Sequence, residues 1–437
     1  MTTSSLAQKF LVACPPLIEE SWRKTSPELF FLPPQNVLNV RGALVLEAQN
    51  ESFLPWKVWE KNFFEHPFCS LFEKVLGKRG AQFLESQQER LIIVEVGQGS
   101  AKVFVSPLLQ HTRVEFSSCL QSEHATAPQS AIGVALAQRL KASVPQELVI
   151  SIQNTPEANS VQGTAPTPLV VVLNECDPLF TQSYSAVKLV ALPGVHAEVL
   201  FVEGGAAFAM HRHTLEVHEQ ACVSQIWFSK TSPPEKSTAL FERKVFLHER
   251  AQFYDAHLMA PQGQQRVISN VVFCGPHAVS KQGSAFAAFR GACHFDYEPI
   301  QEHLAPQGKS VLNAKMILSH FARAVFRGLV RIESHAVKTE AVQKNKNILL
   351  SKTAKIETSP RLEIYPHDVT RCQHGSATGE MDAQQLYYLA TRGLNLELAS
   401  AMILRSFVAE TLMHFQPQCS ILNLAEILLE EVLCHDD

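Results

Sequence analysis

The sequence predicts a mainly β protein with helical segments at its ends, and three observations carry that reading. From Leu169 to about Ile364, short runs rich in Val, Ile, Leu and Phe follow one another with turn residues between them. No convincing amphipathic helix separates these runs, which excludes an alternating βαβ plan and leaves a sandwich, a barrel or a solenoid of stacked strands. After Met381 the pattern changes to segments with helix start and stop signals.

The chain of 437 residues is 46% hydrophobic, so it can bury a large core. Only 18% of residues are charged, below the typical quarter, which argues against long charge-laced segments. A formal net charge of −4 leaves no electrostatic footprint for nucleic acid. The ten cysteines are scattered without a C-x-x-C pair, as expected of reduced thiols in a cytoplasmic protein. No apolar run approaches the ~18 residues of a membrane span. Leu11-Val12-Ala13-Cys14 looks like a lipoprotein box, but polar residues precede it instead of an apolar region.

Taken in order, residues 1–90 read as an N-terminal, mostly helical domain. Between Trp56 and Leu84 aromatic and aliphatic residues recur at three- and four-residue spacings, interrupted at Pro67 and closed by Gly77 and Gly80. Residues 91–375 read as a β-rich core. Leu91–Val96 and Lys102–Val105 flank Gly97-Gln98-Gly99 as a hairpin, because Lys102 stands where a dinucleotide loop needs glycine. Ala131–Leu140 reads as one short helix and Leu148–Ile152 as a strand. Towards the end of the core, Phe326–Ile332 and Ala354–Ile356 alternate on either side of a polar corner at Gln343–Asn347, which favours stacked coils. Residues 376–437 form a C-terminal helical domain, with Asp382, Asn395 and Ser420 as helix caps, Gln385 completing a capping box and Gly393 as a stop. Leu398, Met402, Leu404, Val408 and Leu412 make a broad apolar stripe that must pack on something.

Several residue clusters carry chemistry. In an extended chain residues two apart share a face, so Asp368, Thr370, Cys372 and His374 would project together before Gly375 releases the chain into a turn. A thiol and an imidazole so placed suit a soft metal ion, although two ligands do not complete a site. His211, His213 and His218 with Cys222 form a second donor cluster whose spacing matches no standard metal motif. Gly308-Lys309-Ser310 resembles the end of a phosphate loop, but His303 stands where that loop needs glycine. Neither G-x-S-x-G nor H-E-x-x-H occurs.

Four stretches, FRGLVRI (326–332), EAVQKNKNILLS (340–351), PRLEIYPHDVTRCQHGSATG (360–379) and LYYLATRGL (386–394), resemble the SufB/SufD family of iron–sulfur cluster assembly proteins in order and spacing. CGPHA (274–278) and the segment from HFDY to EHLAP (294–306) are similar more loosely. The C-x-H-G form at 372–375 and the chain length look like the SufD branch.

The resemblance implies a parallel β-helix core, from about residue 169, between N-terminal and C-terminal helical domains. It implies a non-catalytic scaffold that pairs with a SufB-like paralogue through the β-helix edge. A SufC-like ABC ATPase would dock on the C-terminal helices, with ATP hydrolysis on that partner, and the sequence leaves open a homodimer where the paralogue is absent. Cys372 and His374 would be ligands to a transient iron–sulfur cluster or iron at the partner interface, with none held stably by this chain alone. Leu398 and Met402, with Glu397 and Arg405 nearby, are the candidate partner-binding residues. The rival expectations are a SufB-like sulfur-accepting scaffold and a β-helix enzyme acting on carbohydrate.

Overall fold

The computed structural model describes residues 45–46, 67–87, 90–97, 100–105, 112–120, 146–154, 167–174, 182–204, 208–230, 237–289, 291–415 and 419–433. The expected helix at 131–140 and most of residues 1–66 lie outside them. The described chain begins with β1 (Val45–Leu46), α1 (Pro67–Ser86), β2 (Leu91–Gly97), β3 (Ser100–Val105), β4 (Thr112–Leu120) and β5 (Gln146–Asn154). Then come β6 (Leu169–Asn174), β7 (Gln182–Ala191), β8 (His196–Glu203), β9 (Phe208–Val217), β10 (Cys222–Lys230), β11 (Thr238–Leu247) and β12 (Gln252–Ala260). They continue with β13 (Gln264–Phe273), β14 (Val279–Ala288), β15 (His294–His303), β16 (Lys309–Leu318), β17 (Arg323–Phe326), β18 (Leu329–Ile332) and β19 (Glu340–Leu349). The last elements are β20 (Lys355–Thr358), β21 (Arg361–Ile364), β22 (Arg371–Gly379), α2 (Ala383–Thr391), α3 (Leu396–Ala409) and α4 (Ile421–Leu433).

These strands form a parallel β-solenoid. One sheet runs β1-β3-β2-β6-β8-β10-β12-β14-β16-β19-β22 and the other β20-β17-β15-β13-β11-β9-β7-β5-β4. From β5 to β17 consecutive strands alternate between the sheets, and β18 and β21 join the second sheet through β15, so each coil stacks on the one before, as strands starting at Cys222, Gln252, Val279, Lys309, Glu340 and Arg371 do at about 30-residue intervals. The expected hairpin at β2–β3 is present and antiparallel, as is β4–β5. Both pairs lie at the start of the stack, and β2 and β5 join the parallel ladder through β6 and β7.

The repeat is set at one corner. Gln220, Arg250, His277, Gln307 and Lys338 all have φ between 51° and 60°, a left-handed conformation that side chains other than glycine seldom adopt. It recurs because the amide at each such corner bonds to the coil that follows. The Gln220 amide donates to Glu249 O (2.9 Å), Arg250 to Pro276 O (2.9 Å), Gln307 to Val337 O (2.9 Å) and Lys338 to Asp368 O (2.7 Å).

Inside the solenoid, residues such as Val223, Phe253, Phe286 and Met316 stack along one continuous apolar core. A second core lies on the outer face of the first sheet, where α1, α3 and α4 pack over Ile226, Tyr254, Leu258 and Ile317. A carboxylate ties α4 down. Glu198 on β8 accepts from the amides of Ser420 (2.9 Å) and Ile421 (3.3 Å) at the start of α4, and lies 2.7 Å from Arg90 Nη2. Burial opposes charge on Glu198, yet Arg90 and the hydrogen bonds from Cys419 and Ser420 hold its carboxyl below the ordinary range. The cap expected of Ser420 is thus supplied from another element, with the Ser420 hydroxyl donating to Glu198 Oε2 (2.7 Å).

Two local expectations are corrected. Gln343–Asn347 is no corner but the middle of β19, where Gln343, Asn345 and Asn347 point inward and are buried. Asn345 and Asn347 satisfy one another at 2.8 and 3.0 Å, so a polar row survives inside a strand. Gly77, at φ 72° and ψ 167°, ends a first helical piece of α1 as expected, but Gly80 does not, for it lies inside the second piece, which runs on to Ser86.

Candidate functional site

β22 is the last strand of its sheet, paired on one side to β19 and on the other to no strand among the described residues. Its register sets Cys372 opposite Ala341, His374 opposite Gln343, Ser376 opposite Asn345 and Thr378 opposite Asn347. Those β19 residues are buried, so Cys372, His374, Ser376 and Thr378 share the inner face of the terminal rung. The bonds agree: Ser376 donates to Asn345 Oδ1 (3.2 Å), and Asn347 Nδ2 donates to Thr378 Oγ1 (3.1 Å). No further rung among the described residues covers this face, and His374 is exposed.

Cys372 is half-buried against Val330, Ile332, Ala336 and Ala341. That burial pushes its thiol above the ordinary range. Alone, Cys372 is protonated at neutral pH, and an arriving cation would be needed to draw off the proton. Sequence reasoning does not single out Gln343, whose buried amide has neither Nε2 nor Oε1 bonded to protein among the described residues. Gln343 lies beside His374 and against Gly328, where an added Cβ would sit 2.0 Å from Nε2.

Asp368 and Thr370 do not join this face. The strand starts at Arg371, and the Asp368 carbonyl instead accepts the Lys338 amide. Nor does Gly375 begin a turn, for the strand runs on to Gly379 because its register with β19 continues through Ile348.

The first two helices after β22 start at the expected caps. Asp382 accepts from the Gln384 amide (2.9 Å) and Asn395 from Leu398 (2.8 Å), and Gly393, at φ 87°, ends α2. The apolar stripe of α3 divides. Leu404 and Val408 join the core on the solenoid and Ala399 is buried, while Leu398 and Met402 are exposed, at 49% and 47%. None of the α2 residues is buried, and Tyr387 and Tyr388 stand out at 74% and 56%. Leu396 adds 67% exposure at the start of α3, so the α2–α3 hairpin presents an apolar surface with no cover among the described residues. Glu397 is exposed in the first turn of α3. Arg405 is exposed too, but bonds to Glu430 Oε1 on α4 (2.5 Å).

The histidine cluster does not assemble with Cys222. His211 and His213 point into the solenoid around Glu203, with His211 Nδ1 2.5 Å from Oε2 and His213 Nε2 3.4 Å from Oε1. Trp227 donates to Glu203 Oε1 (2.6 Å) and Asn174 to Oε2 (3.1 Å). Burial opposes charge on Glu203, but His213 and His211 beside it and the hydrogen bonds from His211 and Trp227 hold it below the ordinary range. Burial lowers His213 to about 4, so its ring is neutral. Cys222 instead joins the core under the helices, where burial and Glu198 push its thiol up to about 11. His218 lies at a corner. Gly308-Lys309-Ser310 is likewise a corner leading into β16, with Lys309 paired to Glu340 (2.9 Å).

Residues 180–407, more than half of the chain, match the family model for "SUF system FeS cluster assembly, SufBD core domain". The iron–sulfur cluster assembly protein SufD of Escherichia coli K12 is 45% identical over 96 residues, 22% of this chain and 22% of that protein. The chloroplastic protein ABCI7 of Arabidopsis thaliana is 36% identical over 111 residues, 25% of this chain and 23% of that one. A SufBD family protein of Mycobacterium leprae is 31% identical over 152 residues, 33% of this chain and 38% of that one. The alignments therefore span 22% to 38% of these relatives' own lengths.

Proposed function

Because the chain belongs to the SufB/SufD family of iron–sulfur cluster assembly proteins, we propose that it is a SufD-like, non-catalytic scaffold subunit. It pairs with a SufB-like paralogue along the open edge of β22, and a nascent cluster is built at that boundary as cargo. The single observation that carries this reading is the terminal rung: a thiol and an imidazole on one face of a strand that no further coil among the described residues covers. Cys372 and His374 supply one sulfur and one nitrogen donor, and the partner completes the set. The unpaired Gln343 amide beside His374 can hydrogen-bond a cluster sulfide or a partner group. Since burial keeps Cys372 protonated, metal arrival and loss of the thiol proton occur together.

The α2–α3 hairpin is the docking surface for a SufC-like ATPase. A helix of nine residues with none buried, two exposed tyrosines and neighbouring Leu398 and Met402 is supported by a partner and not by its own core. Cys222, Cys274, Cys293, Cys372 and Cys419 are all free, which suits a reducing cytoplasm. No helix among the described residues is long and apolar enough to cross a membrane.

Co-expression with SufB-like and SufC-like partners tests the proposal. His374→Ala should leave the complex assembled and lower the cluster yield on reconstitution, and an unchanged yield removes His374 from the site. Leu398→Asp with Met402→Asp should abolish ATPase binding while the SufB-like partner stays bound. Arg405 is a poor probe, because reversing it also breaks its bond to Glu430.

A further inference from the structure

We propose that His218, Glu219 and His248 form a second metal site, for a divalent transition-metal ion of the Zn2+ class, on a corner of the solenoid remote in register from β22. The site does not depend on the function proposed above. Its basis is a repeat: Val217-His218-Glu219-Gln220-Ala221 and Leu247-His248-Glu249-Arg250-Ala251 occupy the same corner of successive coils. The His218 amide donates to Ala191 O and that of His248 to Val217 O, both at 3.0 Å, so the two imidazoles leave the backbone at equivalent points one rung apart. The rings stack with centroids 4.7 Å apart and planes 1° from parallel.

One ligand atom from each of His218, Glu219 and His248 lies within 4.8 Å of the others. Tetrahedral ligands about 2.1 Å from a zinc ion stand roughly 3.4 Å apart, so the donors must close by about an ångström. Parallel rings aim their lone pairs in parallel, and a turn of one ring about its Cβ–Cγ bond brings both onto a single ion. The two coils supply different carboxylates. Glu249 is bonded to Arg250, whereas the equivalent position after Glu219 is the uncharged Gln220, which leaves the Glu219 carboxylate the better ligand. Glu219 Oε2 lies 3.9 Å from His218 Nδ1, whereas Glu216 faces the other ring nitrogen and is paired to Lys188 (2.7 Å), so Glu219 is the carboxylate of the set. Two imidazoles and a carboxylate favour Zn2+ over Mg2+ or Ca2+, which take oxygen ligands. All three side chains reach solvent, so an ion can enter without opening a coil.

The test is a Zn2+ titration by calorimetry on the full chain carrying Cys372→Ala and His374→Ala, which removes the edge pair from the measurement. One saturable site is expected, with a thermal midpoint that rises on adding Zn2+. His248→Gln and Glu219→Gln, each added singly, should weaken binding by at least about tenfold and remove the thermal shift, with far-UV circular dichroism unchanged. No saturable site, or an affinity unchanged by either substitution, overturns the proposal.

Discussion

β9 and β22 each place two potential metal ligands at alternate positions on the inner face of the solenoid, and the two pairs end in opposite states. His211 and His213 on β9 lie in a dry interior, held around Glu203 with Trp227 and Asn174. Cys372 and His374 on β22 occupy the same kind of position one rung from nothing, with the thiol half-buried and the imidazole exposed. The difference is made by neighbours. A side chain on the inner face is covered by the rungs on both sides of it, and among the described residues β22 has a rung on one side only. Spacing in the chain therefore describes both pairs equally well, and place in the stack decides which can reach a ligand.

The largest expected effect sets the two strands against each other directly. Glu203→Ala strips the partner from His211 and Trp227 inside the solenoid and should cost about 3–5 kcal/mol, measured by urea unfolding. His374→Ala should cost no more than about 0.5 kcal/mol. A comparable loss at His374 would mean that β22 is as closed as β9, and the contrast would fail.

Acid sharpens the same contrast. Burial depresses His213 to about 4 and His303 to about 3, against an unfolded value of about 6.5. Between those values the unfolded chain binds protons that the folded chain does not, so stability falls as pH drops below about 6.5. For His213 the loss at pH 5 is roughly 2 kcal/mol, and His213→Gln should remove its share of the fall in unfolding midpoint between pH 7 and pH 5. An acid response that His213→Gln leaves intact would show that the ring is not held neutral by the interior.

Cys372 should lie between the extremes. Cys372→Ala removes a half-buried sulfur from a small cluster and should cost about 1 kcal/mol. Because burial raises its thiol, alkylation at pH 7 should be slower than for an unperturbed cysteine and should accelerate only above the usual thiol range. Rapid alkylation at neutral pH would mean an open, activated thiol.

Much of this was legible in the letters. The aliphatic runs from Leu169 to Ile364 are strands because alternation with β-branched residues suits a pleated surface, and Asp382 and Asn395 start helices and Gly393 ends one for reasons internal to their own turns. The polar row on β19 misled, because its three inward amides satisfy one another or lie against Gly328, contacts that no linear pattern displays. The coil period was present as His-Glu-Gln-Ala and His-Glu-Arg-Ala 30 residues apart, but later corners keep the left-handed backbone and change the residues.

By itself the sequence determined that the middle of the chain is strand and its end helical, since hydrophobic period and caps act within a few residues. It also determined that a thiol and an imidazole stand two apart near residue 373. The tertiary structure alone decided that the strand bearing them is the last rung, that Glu198 and not Ser420 holds the start of α4, and that α2 has nothing buried. Those outcomes depend on which coil lies next to which, and stacking joins residues some 30 positions apart whose local patterns look alike.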